Sequence, residues 1–169
     1  HLDVGRHFMP VEFIKKYIDL LAVHKMNRFH WHLTEDQGWR IEIKRYPRLT
    51  TVGSVRAQTV VGHPLFQDED EKVFDGTAHG GFYTQEQVKG VVDYAAARHV
   101  TVVPEIEFPG HAQAAIAAYP ELGNTGEQLK VMEDWGISKN TLKPSDETLD
   151  FYRNVLTEVM VLFPSPYIH

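Results

Sequence analysis

The sequence contains no cysteine among its 169 residues. Disulfide bonds, a thiolate nucleophile and a cysteine-ligated metal are therefore excluded as sources of stability or chemistry. The cellular compartment stays open on this point, because secreted and periplasmic proteins can also lack cysteine.

Long apolar runs and an excess of positive charge are also missing. No apolar segment approaches the roughly 20 residues that a membrane-spanning helix needs. The formal net charge is -6 and the pI is about 5.9, which argues against electrostatic binding to nucleic acid or to an anionic membrane. We therefore expect neither nucleic acid nor a membrane as a partner, and a neutral or cationic ligand fits the charge better.

The residues that are present suit a folded globular domain. Hydrophobic residues make up 43% of the chain and charged residues 24%, which excludes the disordered and fibrous classes. Residues 2–4 begin inside a strand-like run, and residues 167–169 begin a fresh apolar run after two prolines. We therefore expect this chain to be one domain that is a piece of a longer protein.

Apolar residues follow strand and helix periodicities in alternation along the chain. Strands are predicted at residues 2–4, 27–33 and 99–106, with a weaker alternation at Ile41 and Ile43 and a fourth strand starting at 167. Helices are predicted at 10–24, at 84–98 behind a Thr84–Gln87 capping box, and at 146–163. Because helices connect successive strands, the strands are predicted to be parallel.

This order indicates an α/β fold. A (β/α)₈ TIM barrel needs about 250 residues, so residues 1–169 are interpreted as a partial catalytic barrel domain covering about strands 1 to 4. A doubly wound sheet is disfavoured because no glycine-rich phosphate loop follows the first strand. Between about Leu49 and Gly81, glycines, Pro64 and the acidic run Asp68 to Glu71 predict a long loop with a solvated charged face.

Polar side chains follow each of the three predicted strands, at residues 3–8, 30–40 and 105–111. In a β/α barrel the reacting groups lie at the carboxyl ends of the strands. We therefore expect these three segments to converge on one mouth.

Five segments in order resemble the catalytic domain of glycoside hydrolase family 20, the β-N-acetylhexosaminidases: LDVGRHF, FHWHLTEDQGWRIEI, GGFYTQEQ, VVPEIEFPGHAQA and AAYPELG. The resemblance implies substrate-assisted, retaining hydrolysis of terminal, non-reducing N-acetyl-β-D-hexosamine residues. It implies an oligosaccharide or glycoconjugate containing N-acetylhexosamine as partner, no metal and no organic cofactor. It further implies a periplasmic, secreted or lysosome-like compartment, whereas the oligomeric state stays open.

The resemblance assigns roles to residues after the first two strands. Arg6 matches the sugar-binding arginine, and the alternative is a salt bridge at the barrel mouth. Glu35 stands where many relatives carry the first Asp of an Asp-Asp-Gln run, and Asp36 matches the second Asp. Both are expected to support catalysis, with a structural role in the loop as the alternative. The longer side chain of Glu35 is expected to meet different partners from those of an aspartate.

Further roles fall on residues near the third strand. Glu107 and His111 match an Asp/Glu-x-Pro-Gly-His signature in which the histidine tunes the general acid, so we expect a carboxylate–histidine network. Trp39 is assigned either to the core or to a sugar-stacking platform that binds substrate. Glu105 is either part of the site or a buried structural carboxylate.

The general acid of the family lies in a Gly-Gly-Asp-Glu motif on the fourth strand, and this motif is absent from the sequence. We therefore expect residues 1–169 to be inactive alone and to carry the part of the site that holds the sugar and tunes the acid.

Two other functions stay open. His30 and His32 share one face of a strand, an arrangement that metal-dependent amidohydrolases use at a barrel mouth. Structural packing of these histidines is the preferred interpretation, because the Glu35–Trp39 continuation belongs to the hexosaminidase pattern. The third possibility is a non-catalytic carbohydrate-binding barrel.

Overall fold

The computed structural model describes residues 1–63, 68 and 71–169. In chain order its elements are β1 (Leu2–Asp3), α1 (Val11–Val23), β2 (Arg28–His32), β3 (Thr34–Glu35), β4 (Gly38–Trp39), α2 (Arg48–Thr51), β5 (Val55–Arg56), β6 (His79–Gly80), α3 (Gln85–Ala96), β7 (Thr101–Glu105), α4 (Gln113–Ala118), a 3₁₀ helix (Pro120–Leu122) and α5 (Asp146–Leu162). Among these, no helix is both long and apolar enough to cross a bilayer.

The centre of the fold is a parallel sheet in the order β1-β2-β7. Helices α1 and α3 lie in the connections between its strands, as the alternating pattern predicts. The described residues therefore form a partial α/β fold and not a closed barrel.

Alternation along β2 separates an apolar face of the sheet from a polar face. Phe29 and Trp31 are fully buried, and the Trp31 ring lies 4.7 Å from the ring of Tyr83. His30 and His32 project to the opposite face, because successive side chains of a strand point in opposite directions. Trp31 thus belongs to the core, as the strand pattern predicts, and the histidines face the site.

The three long helices begin at the residues that the sequence indicates. Helix α1 starts after Pro10 and buries Ile14, Ile18 and Leu21, at the spacing of one helical face. Helix α5 starts after Ser145, whose hydroxyl accepts a hydrogen bond from the Thr148 N–H. The buried faces of these helices belong to the same hydrophobic core as the apolar face of the sheet.

Helix α3 begins with a complete capping box. The Thr84 hydroxyl accepts a hydrogen bond from the Gln87 N–H at 3.2 Å, and the Gln87 side chain accepts one from the Thr84 N–H at 2.9 Å. We expect Thr84→Ala to lower the free energy of unfolding by about 1 kcal/mol, because it leaves a helix N–H without its partner. Denaturant unfolding of the full-length protein measures this. Gln87→Glu, which keeps the acceptor, is the matched control; equal losses for the two variants would contradict the prediction.

Three details of the sequence-based prediction are corrected. Ile41 forms an isolated bridge with Tyr83 instead of a strand with Ile43, because the chain turns back in the β3–β4 hairpin just before it. The region predicted as one long loop contains α2 and the antiparallel pair β5–β6. Pro64 and two residues of the acidic run, Glu69 and Asp70, lie outside the described residues.

The predicted fourth strand is not formed as a strand. His169 nevertheless donates its N–H to the Pro104 carbonyl at 2.9 Å and accepts from the Ile106 N–H at 3.0 Å. These two bonds place His169 beside β7, at the edge of the sheet opposite β1. One paired residue does not make a strand, so the described sheet has three strands.

Candidate active site

Polar side chains from all three strands meet at one end of the sheet. Asp3 pairs in register with His32, and His32 with Glu105, so the three form a row across the polar face. Because the strands are parallel, the segments that follow them leave from the same edge. The expected convergence on one mouth is therefore observed.

Glu35 is the buried centre of this mouth. Its side chain is 1% exposed, its Oε2 lies 3.1 Å from Arg6 Nη2, and its Oε1 lies 2.6 Å from His111 Nδ1. Burial raises the pKa of the Glu35 carboxyl, against the opposing effects of the Asp36 N–H, Arg6 and His111. Glu35 therefore links the segments that follow β1 and β7.

Two backbone features bring Glu35 to its partners. A Cβ at Gly5 would lie 2.6 Å from the Glu35 Cβ, so only glycine allows the end of β1 to approach this closely. His111 has a φ of 49°, a left-handed conformation that costs a non-glycine residue about 1–2 kcal/mol. The contact with Glu35 helps to hold this conformation, and backbone strain of this kind clusters at functional sites.

Asp36 is fully buried and organises the surrounding loops. Its carboxylate accepts hydrogen bonds from the N–H groups of Gln113 at 2.9 Å and Ser138 at 3.2 Å, and it lies 3.4 Å from His111 Nδ1. Its carbonyl accepts from the Met132 N–H at 3.1 Å. Asp36 therefore ties α4 and the 132–138 segment to the mouth.

Glu107 pairs with His32, whose Nε2 lies 3.3 Å from Glu107 Oε1. Burial alone would lower the pKa of His32, but Glu107 and the charges of Asp3, Glu105 and Glu35 raise it. Burial would raise the pKa of Glu107, but the hydrogen bond with His32 and the charges of His32 and His111 lower it. The site thus contains two carboxylate–histidine pairs, and the direct partner of His111 is Glu35.

Glu105 is a buried carboxylate surrounded by histidines. Its oxygens lie 2.5 Å from His30 Nε2, 3.3 Å from His169 Nδ1 and 3.5 Å from His1 Nε2. In the part of the chain that the structure describes, four groups have ligand atoms within 4.8 Å of one another, close enough to share a metal ion: His1, His32 and Glu105; His30, Glu105 and His169; His32, Glu35 and Glu107; Glu35, Asp36 and His111. The same atoms also form the ion pairs already described.

Arg6 forms the salt bridges that were the alternative to sugar binding. Its Nη1 lies 2.5 Å from Asp3 Oδ2, and its side chain remains 32% exposed. Burial would lower the pKa of Arg6, but the Asp3 hydrogen bond and the Glu35 charge raise it. The guanidinium is therefore a fixed cation at the mouth that still reaches solvent.

Trp39 does not line the mouth, which contradicts its assignment to substrate binding. The residue is 2% exposed, and its Nε1 donates a hydrogen bond to the Ile41 carbonyl at 2.7 Å. The β3–β4 hairpin turns the indole into the core, so Trp39 stabilises the loop beneath Glu35.

Sequence reasoning missed Arg40, which is 0% exposed. Its guanidinium donates to the carbonyl oxygens of Val4 at 3.0 Å, Gly5 at 2.9 Å and Gly81 at 3.2 Å, and also to that of Ser54. Burial, and then the charge of Arg56, lower its pKa to about 10. In the alternation from Trp39 to Ile43, Arg40 stands with Glu42 at the polar positions, which predicts exposure. No local signal therefore predicted its burial.

The chain is similar to known proteins over nearly its whole length. The model of "Glycosyl hydrolase family 20, catalytic domain" matches residues 1–169. A beta-hexosaminidase of Porphyromonas gingivalis is 51% identical over 169 residues, which cover 99% of this chain and 20% of that protein. A beta-hexosaminidase of Vibrio furnissii is 47% identical over 99% of this chain and 27% of its own length.

Solved structures give the same result. The GH20 beta-N-acetylhexosaminidase of Streptomyces coelicolor has a TM-score of 0.83 at 40% identity, over 99% of this chain and 31% of that chain. The Streptomyces plicatus N-acetyl-beta-hexosaminidase in complex with Thio-NAglucal has a TM-score of 0.83 at 41% identity, over 99% and 30%. The chain thus spans about a fifth to a third of the length of these proteins.

Proposed function

This chain belongs to glycosyl hydrolase family 20, and from that premise we propose that the whole protein hydrolyses terminal, non-reducing β-linked N-acetylhexosamine residues. The observation that carries the proposal is the buried contact of Glu35 with both Arg6 and His111 at the mouth of a parallel sheet. The substrate is an oligosaccharide or glycoconjugate that ends in N-acetylglucosamine or N-acetylgalactosamine.

We further propose that these residues are the first part of a (β/α)₈ barrel. The parallel order β1-β2-β7, the helical connections and the position of His169 beside β7 support this proposal. In a barrel, further strands would continue from this edge and finally close onto β1.

The proposed reaction uses the substrate as its own nucleophile. The 2-acetamido oxygen attacks the anomeric carbon and forms an oxazolinium ion while the glycosidic oxygen takes a proton from the general acid and leaves. Water then attacks the anomeric carbon of the oxazolinium ion and gives its proton to the deprotonated general acid, so two inversions retain the configuration. This chain does not contain the Gly-Gly-Asp-Glu motif in which the acid is expected, so its residues serve to bind, to orient and to tune.

Each residue of the mouth then has a role. The exposed part of the Arg6 guanidinium donates to hydroxyl oxygens of the terminal sugar, for which its fork of donors is suited. Glu35 holds His111 through Nδ1, so the imidazole offers Nε2 to the general acid and adjusts its proton affinity. Asp36 positions the loops around His111, and Glu107 with His32 supplies a second charged pair beneath them. Glu35, Asp36 and Glu107 are thus positioning residues.

Participation of the acetamido group predicts strong discrimination between two chromogenic substrates. We expect kcat/KM of the full-length protein on an aryl β-N-acetylglucosaminide to exceed that on the matching β-glucoside by at least about 10²-fold, because an internal nucleophile replaces a bimolecular step. Initial rates with both substrates measure this. Equal rates would contradict acetamido participation.

The two other functions predict different results when the full-length protein is given the same substrates or treated with a chelator. A carbohydrate-binding protein would bind the glycoside without cleaving it. A metal-dependent amidohydrolase that uses His30 and His32 would lose its activity together with stoichiometric zinc on chelation. The family match favours the glycosidase over both.

A further inference from the structure

The β5–β6 hairpin is bonded to both ends of the Arg6–Phe8 segment. Arg56 and His79 are paired across its two strands, and directly paired residues project from the same face. Arg56 Nη1 donates to the Arg6 carbonyl at 2.8 Å, and the Phe8 N–H donates to His79 Nε2 at 3.0 Å. The hairpin therefore holds the backbone of the segment that carries Arg6.

The bond to Phe8 fixes the protonation state of His79. An imidazole nitrogen accepts a hydrogen bond only in the neutral ring, so the proton of His79 lies on Nδ1. A protonated ring would direct a second N–H at the Phe8 N–H, and the two donors would face each other without an acceptor. The anchor on Phe8 therefore depends on a histidine that stays neutral.

The surroundings of His79 favour the neutral ring. Its ring is stacked on that of His7, with 4.2 Å between the centroids. Burial is the main cause that lowers the pKa of His79 to about 4, followed by the charge of Arg56. His7 and Arg40 act in the same direction, and Asp75 opposes them. Burial and then Arg56 also lower the pKa of His7, so both stacked rings are uncharged at neutral pH.

The other contacts of the segment link Phe8 to the mouth. The Arg6 N–H donates to Asp3 Oδ1 at 3.0 Å, and the Phe8 ring packs on that of Tyr83 with 5.0 Å between the centroids. A Cβ on Gly81 would clash with the Phe8 ring, so this glycine leaves the space that the ring occupies. Because Arg6 and Phe8 are two residues apart, an anchor on Phe8 restrains the backbone of Arg6.

We propose that His79 is a positioning residue for Arg6, which it holds in the mouth through the Phe8 N–H. The inference rests on the proposed function, in which the exposed part of the Arg6 guanidinium donates to hydroxyl oxygens of the terminal sugar. His79 then contributes to binding of the sugar and not to proton transfer. Its effect therefore falls on KM and on the affinity for the free sugar, whereas kcat stays nearly constant.

His79→Leu in the full-length protein removes the acceptor and keeps a side chain of similar bulk. We expect KM on an aryl β-N-acetylglucosaminide, and the inhibition constant of free N-acetylglucosamine, to rise about tenfold, the equivalent of about 1.4 kcal/mol. We expect kcat to change by less than about twofold. Neither KM nor the inhibition constant depends on the fraction of protein that is folded, so partial unfolding does not imitate this result.

His79→Gln is the matched variant, because its side-chain carbonyl can accept the Phe8 N–H in place of Nε2. It should recover most of the affinity that His79→Leu loses. His24→Leu, at an exposed position, should leave both constants unchanged. Three results overturn the proposal: equal constants for His79→Leu and the wild type, equal losses for the leucine and glutamine variants, or a fall in kcat alone.

A double variant tests whether His79 acts through Arg6. Arg6→Lys keeps a cation but loses the fork of donors. Adding His79→Leu to Arg6→Lys should raise the inhibition constant further by less than about twofold, because the two residues work as a unit. A further rise of about tenfold would mean that His79 acts independently of Arg6, and it would overturn the proposal.

The neutral ring gives a second readout. The ratio of the inhibition constants of the wild type and His79→Gln should stay constant between about pH 7 and pH 5, because all groups other than residue 79 titrate in both proteins. A wild type that loses affinity relative to His79→Gln over this range has a protonated His79, which overturns the arrangement. If the wild type cleaves no N-acetylglucosaminide, the proposed function fails and the role of His79 fails with it. An active wild type with unchanged His79 variants refutes that role alone.

Discussion

Replacing Glu35 with glutamine lowers kcat/KM of the full-length protein on an aryl β-N-acetylglucosaminide by about 10²-fold, the low end of what acid–base catalysis contributes. The amide keeps the size of the side chain but removes the negative charge 2.6 Å from His111 Nδ1 and 3.1 Å from Arg6 Nη2. His111 then loses the carboxylate that orients its ring. Steady-state kinetics over a range of pH measure both the fall in kcat/KM and the change in the dependence of kcat/KM on pH.

The same substitution is expected to leave stability unchanged or to raise it. Burial raises the pKa of Glu35 in the folded protein above the ordinary value of 4.5, so the folded state binds the proton more tightly than the unfolded state. As pH rises from about that value through the folded-state pKa, ionisation of Glu35 therefore lowers stability. Glutamine has no such ionisation. Thermal unfolding at neutral pH should show a midpoint no lower than that of the wild type.

A double-mutant cycle separates positioning from a general loss of structure. If Glu35 acts through His111, the Glu35→Gln/His111→Ala protein is no slower than His111→Ala alone, because the two residues work as a unit. If the fall in kcat/KM of the double variant equals the product of the two single falls, Glu35 acts independently of His111. Glu12→Gln, at an exposed position on α1, is the control and should retain full activity and stability.

The largest loss of stability is expected from Arg40→Met. This change removes the donor to the carbonyl oxygens of Val4, Gly5 and Gly81 in a buried region, whereas the Ser54 carbonyl still accepts from the Gly81 N–H at 3.2 Å. Each unsatisfied buried group costs about 1–3 kcal/mol, so we expect a loss of at least about 3 kcal/mol. Denaturant unfolding of the full-length protein gives this value directly.

Arg40→Lys should recover little of this loss. Lysine presents one compact ammonium and cannot reproduce the planar fork that reaches several carbonyls at once. Arg45→Met, at an exposed position nearby in the chain, should change stability by less than about 0.5 kcal/mol. A similar small change for Arg40→Met would show that water satisfies these carbonyls and that the network is not required.

Local features of the sequence predicted most of the fold. The starts of α3 and α5 follow from the Thr84–Gln87 capping box and from the acidic residues Asp146 and Glu147, with the apolar stripes behind them, since caps and periodicity act within a few residues. The parallel arrangement of β2 and β7 follows from their helical connection. Convergence of the segments carrying Arg6, Glu35 and His111 then follows, because parallel strands end at the same edge.

The pairing of side chains was decided by the tertiary structure. Glu35 and His111 are 76 positions apart, and no local pattern distinguishes that partner from Glu107. Trp39 shows the same limit: its aromatic ring suits either a sugar or the core, and the turn of the β3–β4 hairpin selected the core.

What the sequence by itself determined is the family, the order of the elements and the three segments that meet at the mouth, because these depend on residue type and short-range spacing. The tertiary structure alone decided that Glu35 bridges Arg6 and His111 and that the Arg40 guanidinium donates to five backbone carbonyls. These are contacts between segments far apart in the chain. Their geometry is set by packing, which no single segment encodes.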